Sequence, residues 1–562
     1  MERWGFMLLV ATIAGTVYFL PDCFVDRYFT SGQLWVCGIA GAWGIFALWR
    51  AKRCSYLGMA VGGVLLVAWG YGFVSGYLGW QALGWRVALW LLLLVAENWE
   101  GGFSYRKAYF VLALSLGVEA IVGIGQYAGL WQGNGQFRVT GTFENPAGLA
   151  AYSAICFPFA LYFLPERGKR LFGGGVALLA VAAVALSGSR SGIAALVAVG
   201  TLYIWGCHAV KGKIKRWWVL AFLGAIVLGG VLLYNWKKDS ADGRLLVWRC
   251  TAEMMADAPF TGHAPGSFQA EYMGYQAAFL ERHSEGRWAW LADNVKHPFN
   301  EYLKLGAECG LAGLAVLAVG LWWLWRGWRR SSQERAPLFL GIAGIAVCGL
   351  FSYPLNYPGV VALFFLLLGL IGREEKQIHW QGRRWRLPFI FMPLALVVFT
   401  GYWAKKEALW GQLSRMSLQG NFAEAEQGYR ELYPFLRENP LFLYNYGAEL
   451  HYAGRWSESL SIMEECAEGL DDTDVQMLLG DACERIGNDA GAERHFRQAA
   501  SMCPVRFVPP YRLVKLYERT GRHEKAACLA AELAGKPVKV PSYMVAKIKR
   551  EMRDFIRCEQ NE

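Results

Sequence analysis

The segment Lys296-His297-Pro298-Phe299-Asn300-Glu301-Tyr302-Leu303 gathers groups able to accept and relay a proton. An imidazole with an ordinary pKa near 6.5 takes a proton from a hydroxyl at physiological pH. Pro298 suits the first position of a helix and predicts His297 at its cap. His297, Asn300 and Glu301 then fall at i, i+3 and i+4, on one face. A helix N-terminus attracts anions, phosphates among them. The stretch that ends here, 236–302, also carries Arg244, Arg249 and Arg287. Guanidinium forks match phosphate oxygens two at a time. A lone histidine beside an interface is more often structural than catalytic, but three arginines in the same stretch favour a site for a phosphate-bearing substrate.

Two earlier stretches have related chemistry. Arg138-Val-Thr-Gly-Thr-Phe-Glu-Asn145-Pro146-Ala-Gly-Leu-Ala150 ends in an Asn cap followed by proline, which opens a helix. Ser187-Gly-Ser-Arg190-Ser-Gly192 forms a tight polar hairpin between two apolar runs. Arg190 either reaches back to the membrane interface or lines a phosphate site with exposed backbone N–H groups.

These residues need a scaffold, and the composition says which kind. Of 562 residues, 55% are hydrophobic and 18% charged, against about 25% charged in soluble domains. Apolar runs fall near 5–20, 33–49, 56–75, 80–97, 108–130, 146–164, 171–187, 191–207, 217–235, 303–325, 338–352, 359–372 and 387–403. Each is long enough to be a bilayer-crossing candidate. The first run lacks the basic leader and small-residue cleavage site of a signal peptide and is read as a span. The net charge of +11 is not a nucleic-acid signature, because the lysines and arginines crowd the loops after even-numbered spans. Arg27, Arg86, Arg138 and Arg190 lie on the other side. That bias places the N-terminus in the cytoplasm and the 236–302 loop in the periplasm. An odd number of spans places the C-terminal region there too.

From about 404 the composition turns soluble and a period appears. Gly420, Gly454, Gly487 and Gly521 recur every 33 or 34 residues, each followed five positions later by Ala425, Ser459, Ala492 or Ala526. That is the tetratricopeptide period, in which helical pairs stack because none buries its apolar face alone. The expected fold is therefore all-α: a transmembrane domain over 1–403 with about 12–13 spans, then a soluble helical-repeat domain over 404–562 able to bind a protein partner. The cysteines of this second domain lack zinc-site spacing.

The ordered set RVTGTFENPAGLA (138–150), SGSRSG (187–192), GRLLVW (243–248), Pro259–Phe268 and HPFNEYL (297–303) resembles the O-antigen ligase superfamily. That group includes O-linked protein oligosaccharyltransferases and polysaccharide polymerases. The resemblance covers roughly residues 1–370. It implies transfer of a glycan from undecaprenyl diphosphate to an acceptor hydroxyl, on lipid A-core or a protein, at the periplasmic face of the bacterial inner membrane. It implies no cofactor and no obligatory metal. On the same resemblance His297 matches the essential loop histidine, Arg244 the arginine that engages the diphosphate, and Arg138 and Arg190 basic positions of the outer motifs. Arg249, Arg287, Asn145, Asn300 and Glu301 complete the candidate substrate-binding set. Ala147-Gly148 stands where an Asn often follows the proline, and the thirteenth span and the repeats extend beyond the usual ligase. A repeat-unit polymerase is the alternative within the superfamily. A transporter or flippase, or a non-catalytic scaffold displaying the repeats, is the alternative outside it.

Overall fold

The computed structural model describes residues 2–48, 53–100, 102–209, 238–283, 287–379 and 387–559. The expected span at 217–235 lies outside the described residues, as do Arg50, Lys52, Lys211, Lys213, Lys215, Arg216, Arg383, Arg384 and Arg386 of the basic loops.

The other apolar runs all form helices. These are α1 (Glu2–Ala14, continued by a 3-10 turn to Tyr18), α2 (Thr30–Leu48), α3 (Tyr56–Val74), α4 (Trp80–Asn98), α5 (Tyr105–Tyr127), α6 (Pro146–Leu161), α7 (Arg170–Ser187) and α8 (Arg190–Ala209). After a long connecting stretch come α12 (Glu301–Arg330), α13 (Ala336–Gly349), α14 (Pro358–Gly372) and α15 (Leu387–Leu418). By length and composition α2, α3, α4, α5, α7, α12 and α15 can each cross a membrane, and the others are shorter apolar helices. The chain is an all-α, multi-pass membrane protein. Its two short strands, Arg53–Ser55 and Gln377–His379, pair antiparallel at one end of the bundle.

The bundle has a centre and a rim. α6 and α14 are buried along almost their whole lengths, whereas α3, α7 and α12 present most of their apolar surface outward. Lipid is as apolar as leucine, so close approach of backbones rather than water exclusion holds such helices together. Small residues permit it: a Cβ on Gly369 would stand 2.4 Å from the Leu93 carbonyl oxygen, and one on Gly344 would stand 2.4 Å from that of Ala154.

α12 is broken at Gly310, whose φ is +58°. Freed backbone groups in a membrane helix need partners, and the segment Pro259–Ala264 supplies them. The amides of His263 and Ala264 donate to the carbonyls of Ala307 and Glu308, both at 2.9 Å. The amides of Leu311 and Ala312 donate to those of Pro259 and Phe260 at 2.8 and 3.1 Å. A side chain on Gly310 would collide with the Phe260 backbone.

The stretch between α8 and α12 contains α9 (Lys238–Asp257), α10 (Phe268–Arg282) and α11 (Arg287–Leu291). It sits at the end of the bundle opposite the strand pair. Tyr71 and Tyr77 of the α3–α4 region reach it, donating to the Gly262 carbonyl at 2.9 Å and to Glu271 at 2.6 Å. At the basic end Arg106 pairs with Glu166 and Arg335 with Glu374.

α15 runs on through the boundary expected near 404 to Leu418, so bundle and C-terminal region share one helix. Beyond it lie α16 (Phe422–Leu436), α17 (Pro440–Tyr452), α18 (Trp456–Gly469), α19 (Thr473–Arg485), α20 (Asp489–Met502), α21 (Val508–Arg519), α22 (His523–Gly535) and α23 (Tyr543–Glu559). Gly420, Gly454, Gly487 and Gly521 make the turns between antiparallel partners, with φ of +88°, +78°, +83° and +72°, the left-handed region that glycine enters without steric cost. Ala425, Ser459, Ala492 and Ala526 are fully buried where the partners cross.

These hairpins pack directly on the stretch between α8 and α12. Gln276 of α10 donates to the Met502 carbonyl at 2.8 Å, the Asp471 amide to that of Gln269 at 3.2 Å, and Asn294 to Asp474 at 3.0 Å. Met502 and Cys503 belong to the apolar core formed by α9 and α10. Gly369→Val should lower the thermal midpoint of the detergent-solubilised protein by an amount equivalent to about 1–3 kcal/mol. Gly401→Ala, with open space around its Cβ position, should leave it unchanged.

Candidate functional site

The first turn of α12 organises the site, and it begins later than expected. His297 is not its cap. Phe299 adopts a left-handed backbone at φ +53°, which no helix tolerates. Asn300 caps instead, its Oδ1 accepting from the amides of Tyr302 and Leu303 at 2.9 and 3.0 Å. His297, Asn300 and Glu301 therefore do not share a helical face. The Trp248 indole pins the preceding turn to α9 by donating to the Pro298 carbonyl at 2.9 Å.

All three residues nonetheless meet one segment, Leu350–Tyr357, between α13 and α14. Asn300 donates to the Leu350 carbonyl at 3.1 Å, and Glu301 accepts from the Leu355 amide at 2.8 Å. The His297 ring lies against Tyr353 at 4.7 Å between centroids. Arg244 joins them, donating to the Phe351 carbonyl at 2.8 Å with its guanidinium 5.3 Å from the Phe299 ring centroid. Asn145 arrives from the far side. It caps α6 through the amides of Ala147 and Gly148 and accepts from the Tyr357 hydroxyl at 2.8 Å.

Arg190 donates to Ser240 at 3.1 Å, one turn of α9 before Arg244. Burial, with Arg190 nearby, lowers Arg244 to about 10, which leaves it cationic at physiological pH. Arg244 has no carboxylate partner among the described residues. A buried guanidinium beside a second cation and without a counter-charge is a place for an anion.

Three expected residues stand elsewhere. Arg138 folds back on α5, donating to the Tyr127 carbonyl at 2.6 Å and covering that ring at 4.2 Å. The unpaired carbonyls of a helix end and an aromatic face both attract the guanidinium, so Arg138 is not drawn to His297. Arg287 pairs with buried Asp242 at 3.0 Å, and it and Arg249 both lie over Trp288.

The loop that delivers Asn145 is clamped. Gln126 accepts from the amides of Thr140 and Gly141, both at 2.9 Å, and donates to the Gly141 carbonyl at 2.8 Å. Thr142 donates to Glu119 at 2.8 Å. Tyr353 and Tyr357 escaped the sequence reading. Two tyrosines and two prolines in a short connection between spans, Ser352-Tyr-Pro-Leu-Asn-Tyr-Pro358, are the signal that pointed to them.

The two loop histidines differ. His263 is satisfied on both nitrogens, by Glu271 at 2.6 Å and the Met254 carbonyl at 2.8 Å. The Nδ1 of His297 is buried without a hydrogen-bond partner. Burial, aided by Lys304 and Lys296, pushes the His297 pKa down to about 3. The ring is thus neutral in the folded protein, with a nitrogen free to accept or donate. Among the described residues no cluster of His, Cys, Asp and Glu is arranged to hold a metal.

The fold is that of a multi-pass membrane protein in which the stretch between α8 and α12, the start of α12 and the α13–α14 connection meet at a candidate site with arginines and an imidazole. Residues 175–318 match the family model described as O-antigen ligase. The matched stretch runs from α7 into α12 and contains Arg190, Arg244, Arg249, Arg287, His297, Asn300 and Glu301. It supports a place in the O-antigen ligase superfamily and a glycosyltransferase type of activity. No curated protein matches the chain.

An unfolded histidine titrates near 6.5, so between about 6.5 and 3 the unfolded chain binds a proton that the folded site refuses. That contribution to stability is complete above pH 6.5 and is lost as pH falls. Between pH 7.5 and 5 the thermal midpoint of His297→Phe should therefore fall less than that of the wild type. Equal falls would contradict a buried, neutral ring.

Proposed function

We propose that this protein transfers a glycan from undecaprenyl diphosphate to an acceptor hydroxyl at the periplasmic face of the inner membrane. The observation that carries the reading is the meeting of Arg244 and His297 on one segment. One is a buried guanidinium lacking a carboxylate, the other an imidazole with an unpartnered nitrogen. Both lie inside the stretch that matches the O-antigen ligase model.

The carrier's diphosphate supplies the counter-charge that Arg244 lacks, on the side where Arg190 stands. The acceptor oxygen attacks the anomeric carbon from the face opposite the diphosphate. The carbon–oxygen bond to phosphate breaks, undecaprenyl diphosphate leaves with the bonding pair, and the hydroxyl proton passes to His297. Guanidinium groups in place before the reaction stabilise the charge that develops on the leaving oxygen. A dianion close by raises an imidazole pKa, so donor binding makes His297 a better base than it is in the empty site. Arg138, engaged with Tyr127, has no part in this arrangement. Asn145, Asn300 and Glu301 act on Leu350–Tyr357, which holds His297 by its Tyr353 ring.

The C-terminal hairpins are read as tetratricopeptide-like and periplasmic. Their glycine period, buried small residues and contact with the outer loop support that. They offer a surface for a protein acceptor or a partner, which favours a protein oligosaccharyltransferase or a partnered ligase.

Purified protein and glycan-loaded carrier, offered lipid A-core, a periplasmic protein and a second loaded carrier in turn, test the reading and identify the acceptor. His297→Ala should lower transfer by about 10²–10⁴-fold at unchanged expression. Arg244→Lys, which keeps charge but loses the fork, should lower kcat/KM by at least about tenfold. Normal transfer by His297→Ala would remove the imidazole from the mechanism.

A further inference from the structure

Residues 292–300 join α11 to α12 without regular structure, and His297 lies within them. Such a stretch holds a side chain in one place only where it is tied on both sides. After His297 the Trp248 indole donates to the Pro298 carbonyl at 2.9 Å, and Asn300 caps α12. Before it, the ties lead to the C-terminal hairpins. Gln276 donates to the Asp293 carbonyl at 3.1 Å and to that of Met502 at 2.8 Å, so one amide joins the two segments. Val295 packs on the apolar core that contains Met502 and Cys503.

Asn294 is the central tie. Its Nδ2 donates to Asp474 Oδ2 at 3.0 Å, and its Oδ1 accepts from the Thr473 amide at 3.3 Å. The Cys503 thiol approaches the same oxygen at 3.8 Å. Thr473 and Asp474 open α19, whose own cap Asp472 accepts from the amides of Asp474 and Val475 at 2.9 and 3.0 Å. The first amide of α19 is thus satisfied from outside the hairpins. A primary amide supplies both the donor and the acceptor that this corner needs. Arg506 completes it, pairing with Asp474 at 2.8 Å and standing 3.6 Å from Asp293. Three residues of extended chain span at most about 10 Å, so a tie at Asn294 limits where the His297 ring can sit.

We propose that Asn294 is a positioning residue for the transfer reaction, through which the first turn of α19 in the C-terminal hairpins fixes the segment that presents His297. The assignment rests on the glycan-transfer reading. Asn294 touches no reacting group in this role and acts through His297. The hairpins thereby take part in the reaction, holding the base where it meets the acceptor's proton. A misplacement of about 1 Å costs on the order of 10²-fold in rate, a precision that an untied irregular segment does not provide.

The test uses the full chain in detergent and compares Asn294→Ala, Asn294→Asp, Asp474→Ala and the exchanged pair Asn294→Asp/Asp474→Asn. A carboxylate at 294 faces that of Asp474 and breaks the tie, whereas the exchange again sets a donor opposite an acceptor. The single variants should lose about 10- to 100-fold in kcat, with KM for loaded carrier and acceptor within about twofold. The exchanged pair should recover most of the loss, because the pair rather than either side chain carries the effect. Unchanged kcat in Asn294→Ala and Asp474→Ala, a rise in KM alone, or no recovery in the exchanged pair overturns the proposal. Asp474→Ala lies on the hairpin side and decides the matter if Asn294→Ala does not fold. A second readout needs no turnover. With ¹³C-labelled histidine, the His297 resonance, assigned by its loss in His297→Phe, should be displaced in the single variants and return in the exchanged pair. An undisplaced resonance overturns the proposal. Displacement and return in a protein that transfers nothing to any acceptor would keep the coupling of Asn294 to His297 and refute the transfer reading.

Discussion

The backbone of Leu350–Tyr357 is where separate parts of the chain become one site. Its carbonyls take Arg244 and Asn300, its Leu355 amide is held by Glu301, and its two tyrosines touch His297 and Asn145. A connection between two buried helices carries polar groups that lipid cannot satisfy. Here side chains from α9, the start of α12 and the start of α6 satisfy them. The residues that could do chemistry are thereby fixed through the same contacts that satisfy the connection.

Burial then sets the electrostatics. Removal from water makes His297 neutral and leaves its Nδ1 unpaired, while it leaves Arg244 charged beside Arg190. Both conditions are costly in an empty site and both are relieved by a ligand that brings negative charge and a hydroxyl.

The α8–α12 stretch, the broken helix and the C-terminal hairpins support one another. Pro259–Ala264 repairs the break in α12 at Gly310, α10 rests on the hairpins through Gln269 and Gln276, and α15 joins the hairpins to the bundle without interruption. The loop carrying Arg244 is thus held from below and from above.

Much of this was legible in the residues themselves. Apolar runs of bilayer length became helices, the Asn145-Pro146 pair capped α6, and the glycine period marked the hairpin turns, because hydrophobic length, capping and left-handed φ are local properties. The start of α12 was misread because proline signals a helix, while Phe299 turns left-handed under contacts with Arg244 and Tyr353 that lie far away in sequence. Arg138 was placed in the site because its charge broke the loop bias. Charge does not say which partner is nearest, and the end of α5 with Tyr127 was nearer. Tyr353 and Tyr357 stand out in the sequence only as aromatic residues of a proline-rich connection, with no period or motif that gives them a role. Sequence alone thus determined the described helices and their order. Tertiary structure decided which polar side chains meet, because those meetings depend on helix packing that brings together residues hundreds of positions apart.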